Sequence, residues 1–417
     1  MGQEPIRFER YCRVCGGTAG ESVLELTPTP PEDEFVPQER LGNVQDVYPL
    51  ELVLCAGCGY VYLPHVLSPQ VSYQDYIYET KTTIGLSGHY QEYADKLVKD
   101  LRIQSDALIV DIGSNDGTML EAFARHRVRG VGVEPNSAIA SAANDRGRQT
   151  LCGYFTFETA VSIAKDFGKA AAITANYVYA NIDDLSEFTR GVAELLAPDG
   201  VFVIQTGYHP DQMKCMMFDY IYHEHFSYFT VKSLVHLLGR CGLELINVER
   251  SPQKGGSIRA YVQHEGGSRP VSESVAALME EERCAGIHER SVYDRFADQI
   301  VRAKEDLFDV LSRIQEKGTR IVGYGASHST TTLVYHFGLG DLLDYLVDDN
   351  PLKQGLFSPG LHLPVYAPRK LHEDGQACAL ILAWQHAESI LARNKETFGG
   401  GRQIIVPLPK LRLIEGL

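Results

Sequence analysis

Residues 218–230 read FDYIYHEHFSYFT and crowd Tyr220, Tyr222, His223, Glu224, His225 and Tyr228 into one short stretch. Histidine titrates near neutral pH, so a histidine here can take a proton from a substrate carbon. A carbon beside a carbonyl must lose that proton and become an enolate before it can attack an electrophilic methyl group. In an extended segment alternate side chains share a face, which puts Tyr222 and Glu224 on one side and His223 and His225 on the other unless a turn intervenes. Two other uses of these residues stand beside this one. They are metal ligation by His223, Glu224 and His225, and aromatic packing around one buried histidine.

A carbon nucleophile needs a methyl donor, and residues 109–119, IVDIGSNDGTM, offer a place for one. An apolar strand ends at Asp111, and Gly113 and Gly117 turn the chain into a helix whose amides can face a ligand. A second strand, VGVEP, ends at Glu134, about 20 residues on, where a carboxylate can accept from ribose hydroxyls. That spacing fits NAD or S-adenosylmethionine. The loop lacks the Gly-x-Gly-x-x-Gly phosphate fingerprint, and Asp111 and Asp116 would repel a pyrophosphate but attract a sulfonium and an amino group. The expected cofactor is S-adenosylmethionine, with Asp111, Gly113, Asn115, Asp116, Gly117 and Glu134 as contacts.

Four of the nine cysteines are paired by spacing, Cys12-x-x-Cys15 and Cys55-x-x-Cys58. Two such knuckles, each followed by glycine, close a tetrahedral zinc site. Four thiolates leave no open coordination position, so the zinc is expected to be structural; redox pairs or unligated thiols are the alternative. The interval from residue 16 to 54 is long for a zinc ribbon and implies a strand-rich insertion.

The elements that must position these groups follow from pattern. A chain of 417 residues exceeds one ordinary core and implies two or three domains. With 44% hydrophobic and 22% charged residues it is globular. The net charge of −15 argues against a nucleic-acid-coating surface, though not against a local basic pocket for a small anion. No apolar run approaches a membrane span and the first residues lack the apolar core of a secretory signal, so a soluble cytoplasmic protein is expected. Short apolar runs alternating with helical stretches predict parallel sheets with crossover helices. The expected fold class is α/β. A zinc-binding module spans 1–70, a Rossmann-like class I methyltransferase domain 71–268, and a helical linker with a second Rossmann-like α/β domain 269–417. Residues 272 to 317 read as one long helix or two shorter ones. The lone Gly323-x-Gly325 turn after strand TRIVGYGA fits either a phosphate cradle or a plain strand-to-helix turn.

Taken together, the motifs resemble the three-domain C-methyltransferases that act on deoxy nucleotide sugars in antibiotic and surface-sugar pathways. The resemblance covers nearly the whole chain and rests on the cysteine pairs, the Asp111–Gly117 loop and Tyr76-x-Tyr78. It rests also on Tyr222-His-Glu-His225, Gly255-Gly256-Ser257-x-Arg259, VGYGA at 322–326, VDDNPLKQG at 347–355 and AWQHA at 383–387. It implies a structural zinc, S-adenosylmethionine in the middle domain and a sugar nucleotide between the middle and C-terminal domains. It implies His225 as the base, Tyr222 and Glu224 as orienting or enolate-stabilising groups, and Tyr76 closing over the sugar. Asn181 is expected near the cofactor. Tyr78, Lys254, Arg259, Tyr324 and Ser329 are expected at the substrate, with Lys254 and Arg259 as partners for a phosphate. The chain departs from the family at Asn181, where relatives often have histidine, at Ser329, where they usually have lysine, and at Lys254 and Gln385. These departures leave open a non-sugar acceptor or non-methyl chemistry on the same scaffold, or a protein that only binds.

Overall fold

The computed structural model describes residues 5–18, 20–68, 86–399 and 401–415. Tyr76 and Tyr78 lie outside them. Four sheets form. β1 (Ile6–Phe8) pairs antiparallel with β5 (His65–Leu67). β2 (Glu21–Thr29), β3 (Tyr48–Leu54) and β4 (Val61–Tyr62) make an antiparallel sheet between and beyond the cysteine pairs, which is the expected strand-rich insertion. Its fourth strand comes from far along the chain.

Seven strands, β6 (Leu108–Ile112), β7 (Arg129–Glu134), β8 (Thr150–Cys152), β9 (Ala170–Asn176), β10 (Leu196–Gly207), β12 (Leu243–Ser251) and β13 (Ser257–His264), form the central sheet. Their order is β12-β13-β10-β9-β6-β7-β8, parallel from β10 to β8, with β13 antiparallel to both β10 and β12. All five residues of β6, LIVDI, are buried, as a strand covered by helices on both faces requires. The strand order reverses between β6 and β9, so a crevice for a ligand opens at their C-terminal ends.

β11 (Ser227–Tyr228) leaves this unit and pairs with β4, Ser227 opposite Tyr62 and Tyr228 opposite Val61. The histidine-rich segment is therefore tied to the cysteine module's sheet. The third unit is built from β14 (Ile321–Tyr324), β15 (Tyr345–Val347), β16 (Val365–Tyr366), β17 (Cys378–Ile381), β18 (Gln403–Val406) and β19 (Arg412–Glu415). Their order is β16-β15-β14-β17-β18-β19, parallel except for the last strand, with a reversal of its own between β14 and β17. The linker is two helices, Glu273–Ala285 and Arg290–Glu316, broken at Gly286 in a left-handed conformation.

Two of the apolar clusters cross these boundaries. One joins Val23, Leu24 and Leu52 of the N-terminal sheet, and Phe35 of the loop after β2, to Phe218, Ile221, the Arg290–Glu316 helix and the third unit. Another joins Cys12, Cys58, Tyr60 and Tyr62 to the helices and strands of the central unit. The N-terminal module thus packs against both of the other two.

The four thiol sulfurs of Cys12, Cys15, Cys55 and Cys58 lie within 4.8 Å of one another. Two of the pairs stand at 3.6 Å, close to the ~3.8 Å expected around a tetrahedral ion with bonds of about 2.3 Å. Gly16 and Gly59 take φ of +73° and +72°, and their amides donate to the Cys12 and Cys55 carbonyls to close each knuckle. The donor set fits structural zinc. Cys58→Ser should abolish binding of one zinc per chain, measured by metal analysis, and lower Tm by roughly 5 °C or more, since this ion holds a folded module. Full zinc occupancy in that variant would contradict the assignment. Among the described residues no helix is long and apolar enough to cross a membrane.

Candidate active site

The loop after β6 is built around two buried carboxylates. Asp111 accepts from the Thr174 hydroxyl at 2.6 Å and the Asn176 amide at 3.4 Å. Burial pushes its carboxyl up to about 7, with nearby Glu134 adding to the rise. Glu134, at the end of β7, accepts from the backbone amides of Asn115 at 3.0 Å and Asn136 at 2.9 Å. Gly113 has φ +68°, and a Cβ there would stand 3.0 Å from Val178, so both backbone and space demand glycine. Asp116 accepts from the amide and hydroxyl of Thr118 at 3.2 and 2.6 Å and so starts the helix Thr118–Ala124; Gly117, in the left-handed region, is that helix's N-cap.

Asn181 ends a short 3-10 turn, Tyr179–Asn181, and its buried amide oxygen has no hydrogen-bond partner, nor has that of Asn176. Such orphaned acceptors, with a carboxylate held near half-protonation, suit a ligand that brings an ammonium group, hydroxyls and a cationic sulfur. The residues present fit S-adenosylmethionine.

A cavity of about 480 Å³ opens between the central and third units. Thr206 and Gly207 at the end of β10, Tyr220, Tyr222, His225 and Tyr228, and the loop Pro252–Gly255 form its central-unit side; Ser327–Ser329 and Gln385–His386 form the other. A turn does intervene in the histidine-rich segment: the His225 amide donates to the Tyr222 carbonyl at 3.0 Å. Tyr222 and His225 consequently meet, with the phenol oxygen 3.0 Å from Nε2 and ring centroids 4.1 Å apart. Nδ1 lies 3.3 Å from the Tyr220 carbonyl, which only accepts, so Nδ1 carries the hydrogen and Nε2 offers its lone pair. Burial, then the Lys254 ammonium, push His225 down to about 4, which keeps it neutral and able to accept a proton.

Lys254 also lines the cavity, its ammonium 4.2 Å over the Tyr177 ring. Ser329 is buried at the cavity wall, 3.1 Å from the Ser327 hydroxyl. Glu224 is buried beside the cavity rather than among its lining residues. Burial first, then nearby Glu32 and Asp33, push its carboxyl up to about 8. His223 is likewise turned away, toward Glu32 and the Pro49 carbonyl. This geometry does not gather His223, Glu224 and His225 around one ion; among the described residues only the four cysteines form a metal-sized cluster.

Two expected substrate residues lie elsewhere. Arg259, on β13, is buried with its guanidinium on the Gln205 side-chain oxygen at 3.0 and 3.2 Å and 3.6 Å over the Tyr93 ring. Tyr324 ends β14 and donates to Asp349 at 3.0 Å, inside the third unit. The Gly323-x-Gly325 turn is not a phosphate cradle, because its amides are already used. Gly325 donates to the Val347 carbonyl and Ala326 to the Asp348 carboxylate, an anion where a phosphate would have to sit.

Sequence reasoning missed four residues that shape the cavity. Asp219, fully buried, accepts from the indole of Trp384 in the third unit at 2.8 Å, and Ser329 lies near enough to favour its charged form. His328 lines the cavity, and Glu32 and Asp33 of the N-terminal module reach the same junction. His328 adjoins Ser329 in a loop already singled out. The proline-broken run PTPPEDEFVP shows no sign that its acids pair with residues hundreds of positions away.

Three family profiles tile the chain: "Putative zinc binding domain" over residues 12–73, "Methyltransferase domain" over 86–248 and "C-methyltransferase C-terminal domain" over 252–409. C-methyltransferase NovU of Streptomyces niveus is 33% identical over 413 residues, covering 99% of this chain and 98% of that protein. Among solved structures, an S-adenosylmethionine-dependent methyltransferase of Clostridium acetobutylicum is 12% identical with a TM-score of 0.35, over 48% of this chain and 96% of its own. The O-methyltransferase NcsB1 of neocarzinostatin biosynthesis is 19% identical with a TM-score of 0.31, over 43% of this chain and 57% of its own. Likenesses that slight carry no argument.

Trp384 is the chain's one tryptophan. Asp219→Ala strands its indole N–H in a buried interface and should cost about 1–3 kcal/mol, while Asp219→Asn keeps an acceptor and should cost less than half of that. Urea unfolding followed by Trp384 fluorescence measures both; equal costs would contradict this role for the carboxyl.

Proposed function

This chain belongs to the three-domain, zinc-containing C-methyltransferases, which depend on S-adenosylmethionine, and from that premise we propose that it methylates a carbon of a keto-deoxysugar nucleotide, of the dTDP-sugar type. The observation that carries the reading is the neutral His225 at the wall of a cavity between the central and third units. A volume of about 480 Å³ falls within the ~300–1,000 Å³ of small-molecule sites. Hydroxyls and amides recur along its lining, among them Thr206, Ser327, Ser329, Gln212, Gln253 and Gln385, which suits a polyhydroxylated ligand. Lys254 adds a cation for a diphosphate, and His386, which burial and then Lys254 push below its ordinary value, adds a neutral imidazole. With domain boundaries near residues 70 and 268, as read from sequence, the first domain binds the metal and the second the cofactor. The third supplies the far wall of the substrate cleft.

When bound, S-adenosylmethionine supplies a methyl group on a sulfonium, an electrophile that a carbanion-like carbon can attack. Asp111, Glu134 and the Gly113–Gly117 loop hold and orient it, with Asn181 beside them. His225 takes the proton of the carbon beside the ketone on Nε2, and the C–H electron pair moves into the enolate. The Tyr222 hydroxyl, displaced from Nε2 by the substrate, turns to the enolate oxygen. Attack of that carbon on the methyl group would form the carbon–carbon bond as the methyl–sulfur bond breaks, its electron pair staying on sulfur as a neutral thioether; the ketone returns, and His225 passes its proton to solvent. A placed base of this kind contributes ~10²–10⁴-fold.

His225→Asn should keep cofactor binding, followed by calorimetry, and lose turnover by at least ~10²-fold; full activity would sink the assignment of the base. Asp111 gives a pH test. Its carboxyl sits at about 7 without ligand, and a cationic ligand favours the carboxylate, so cofactor affinity should fall as pH drops from 8 to 6. Asp111→Asn should bind weakly at both pH values. An affinity indifferent to pH would remove Asp111 from the cofactor contacts.

A further inference from the structure

Glu32 and Asp33 belong to the N-terminal module, yet both are buried at the junction of all three units. Glu32 accepts from the Glu224 amide at 3.0 Å and stands 3.7 Å from His223 Nδ1, so it braces the turn that carries Tyr222 and His225. Asp33 faces the third unit. Its two oxygens lie 2.8 Å from the Lys353 ammonium and 3.4 Å from His328 Nε2.

His328 opens the helix His328–Phe337 just after the β14 turn and lines the cavity. Its ring lies nearly parallel to that of Tyr222, with centroids 6.0 Å apart, while Tyr222 also touches His225. One phenol thus contacts two imidazoles in opposite charge environments. Lys254 and burial act on His225, whereas His328 answers to a carboxylate.

We propose that His328 is a second catalytic residue, an imidazolium that Asp33 of the N-terminal module holds at the cavity wall, where its charge stabilises the oxygen that turns negative as His225 removes the carbon-bound proton. This rests on the enolate reading of the site. No new bond forms at His328; the proton goes to His225 and the electron pair to the enolate, and the cation acts through the field alone. The need for it follows from His225. A base held down to about 4 is weak, so proton transfer from carbon is uphill unless the charge left behind is stabilised in the same step.

The groups facing His328 agree in sign. Asp33 and Glu32 favour the cation, Glu224 does so only when ionised, Lys353 opposes it, Tyr222 stacks on it, and His225 stays neutral in its field. The balance raises His328 above its ordinary value despite burial, which is the largest single influence and acts the other way. Two histidines at one cavity are therefore driven apart, one to the base form and one to the acid form. Asp33 is the positioning residue of this arrangement.

The test is deuterium exchange at the carbon beside the ketone, followed by mass spectrometry with keto-deoxysugar nucleotides in heavy water, for wild type, His328→Gln and Asp33→Asn. His328→Gln should slow exchange and methyl transfer together by about 10²–10³-fold, with cofactor binding intact as evidence of folding. An exchange rate within threefold of wild type would overturn the proposal. Activity should fall with rising pH as His328 loses its proton. Asp33→Asn should move that alkaline limb to lower pH, a change no merely structural role produces, and an unmoved limb would remove Asp33. If wild type exchanges none of these ketones, the His225 reading fails instead. Imidazole ¹⁵N signals, assigned by difference from His328→Gln, then decide the charge without substrate. An imidazolium at pH 7.5 that disappears in Asp33→Asn upholds the Asp33–His328 pair; a neutral His328 in wild type overturns it.

Discussion

The pairing of β11 with β4 is the constraint on which the candidate site depends. Between the 3-10 turn Phe218–Tyr220 and β11 the histidine-rich segment has only the short turn that brings Tyr222 and His225 together, and such a segment holds a side chain in place only if both its ends are anchored. Ser227 and Tyr228 pair with Tyr62 and Val61, and the Tyr60 hydroxyl meets Ser227 at 2.5 Å. Tyr60 follows the second cysteine knuckle by two residues. The order of dependence runs from metal to knuckle, from knuckle to β4, from β4 to β11 and so to His225. A zinc site with no vacant position still bears on the proposed catalysis, because it fixes the floor under His225.

Burial and charge compete at almost every titratable group near the cavity, and their balance sorts the groups into roles. For Asp111, Asp219 and Glu224 burial prevails, and each carboxyl rises to about 7 or 8. For Asp33 the nearby His328 and Lys353 prevail over burial, and the carboxylate is held well below its ordinary range. The same contest gives the histidines opposite answers, since His225 has a cation beside it and His328 has carboxylates. Ion pairs this well buried are poor contributors to stability, because the desolvation of both partners offsets most of their attraction. Their retention at the junction of three units fits a role in setting charge rather than in holding the fold.

Much of this was legible in the sequence. The cysteine knuckles, the cofactor loop and the two α/β alternations follow from spacing and period, local properties that one sequence displays. The meeting of Tyr222 and His225 was not, since alternation in an extended strand separates them and only the turn closed by the His225 amide brings them together. Arg259 has the charge expected of a phosphate partner, but its place on β13 sends it into a buried pocket with Gln205 and Tyr93. Tyr324 follows the same logic, drawn to Asp349 by the β14 register. The Glu32–Asp33 hook was invisible for a different reason: its partners lie in other units, and nothing local marks a proline-rich loop as the piece that enters a junction.

The proposed reaction is transfer of a methyl group to carbon beside a ketone on a nucleotide-linked sugar. It is tested most directly by giving the enzyme S-adenosylmethionine with a ¹³C-labelled methyl group and a panel of keto-deoxysugar nucleotides, then locating the label by carbon NMR. The expected result is a carbon-bound methyl on the position adjacent to the ketone of at least one member of the panel. A label found on oxygen or nitrogen, or on none of the ketones while the cofactor binds, would contradict it.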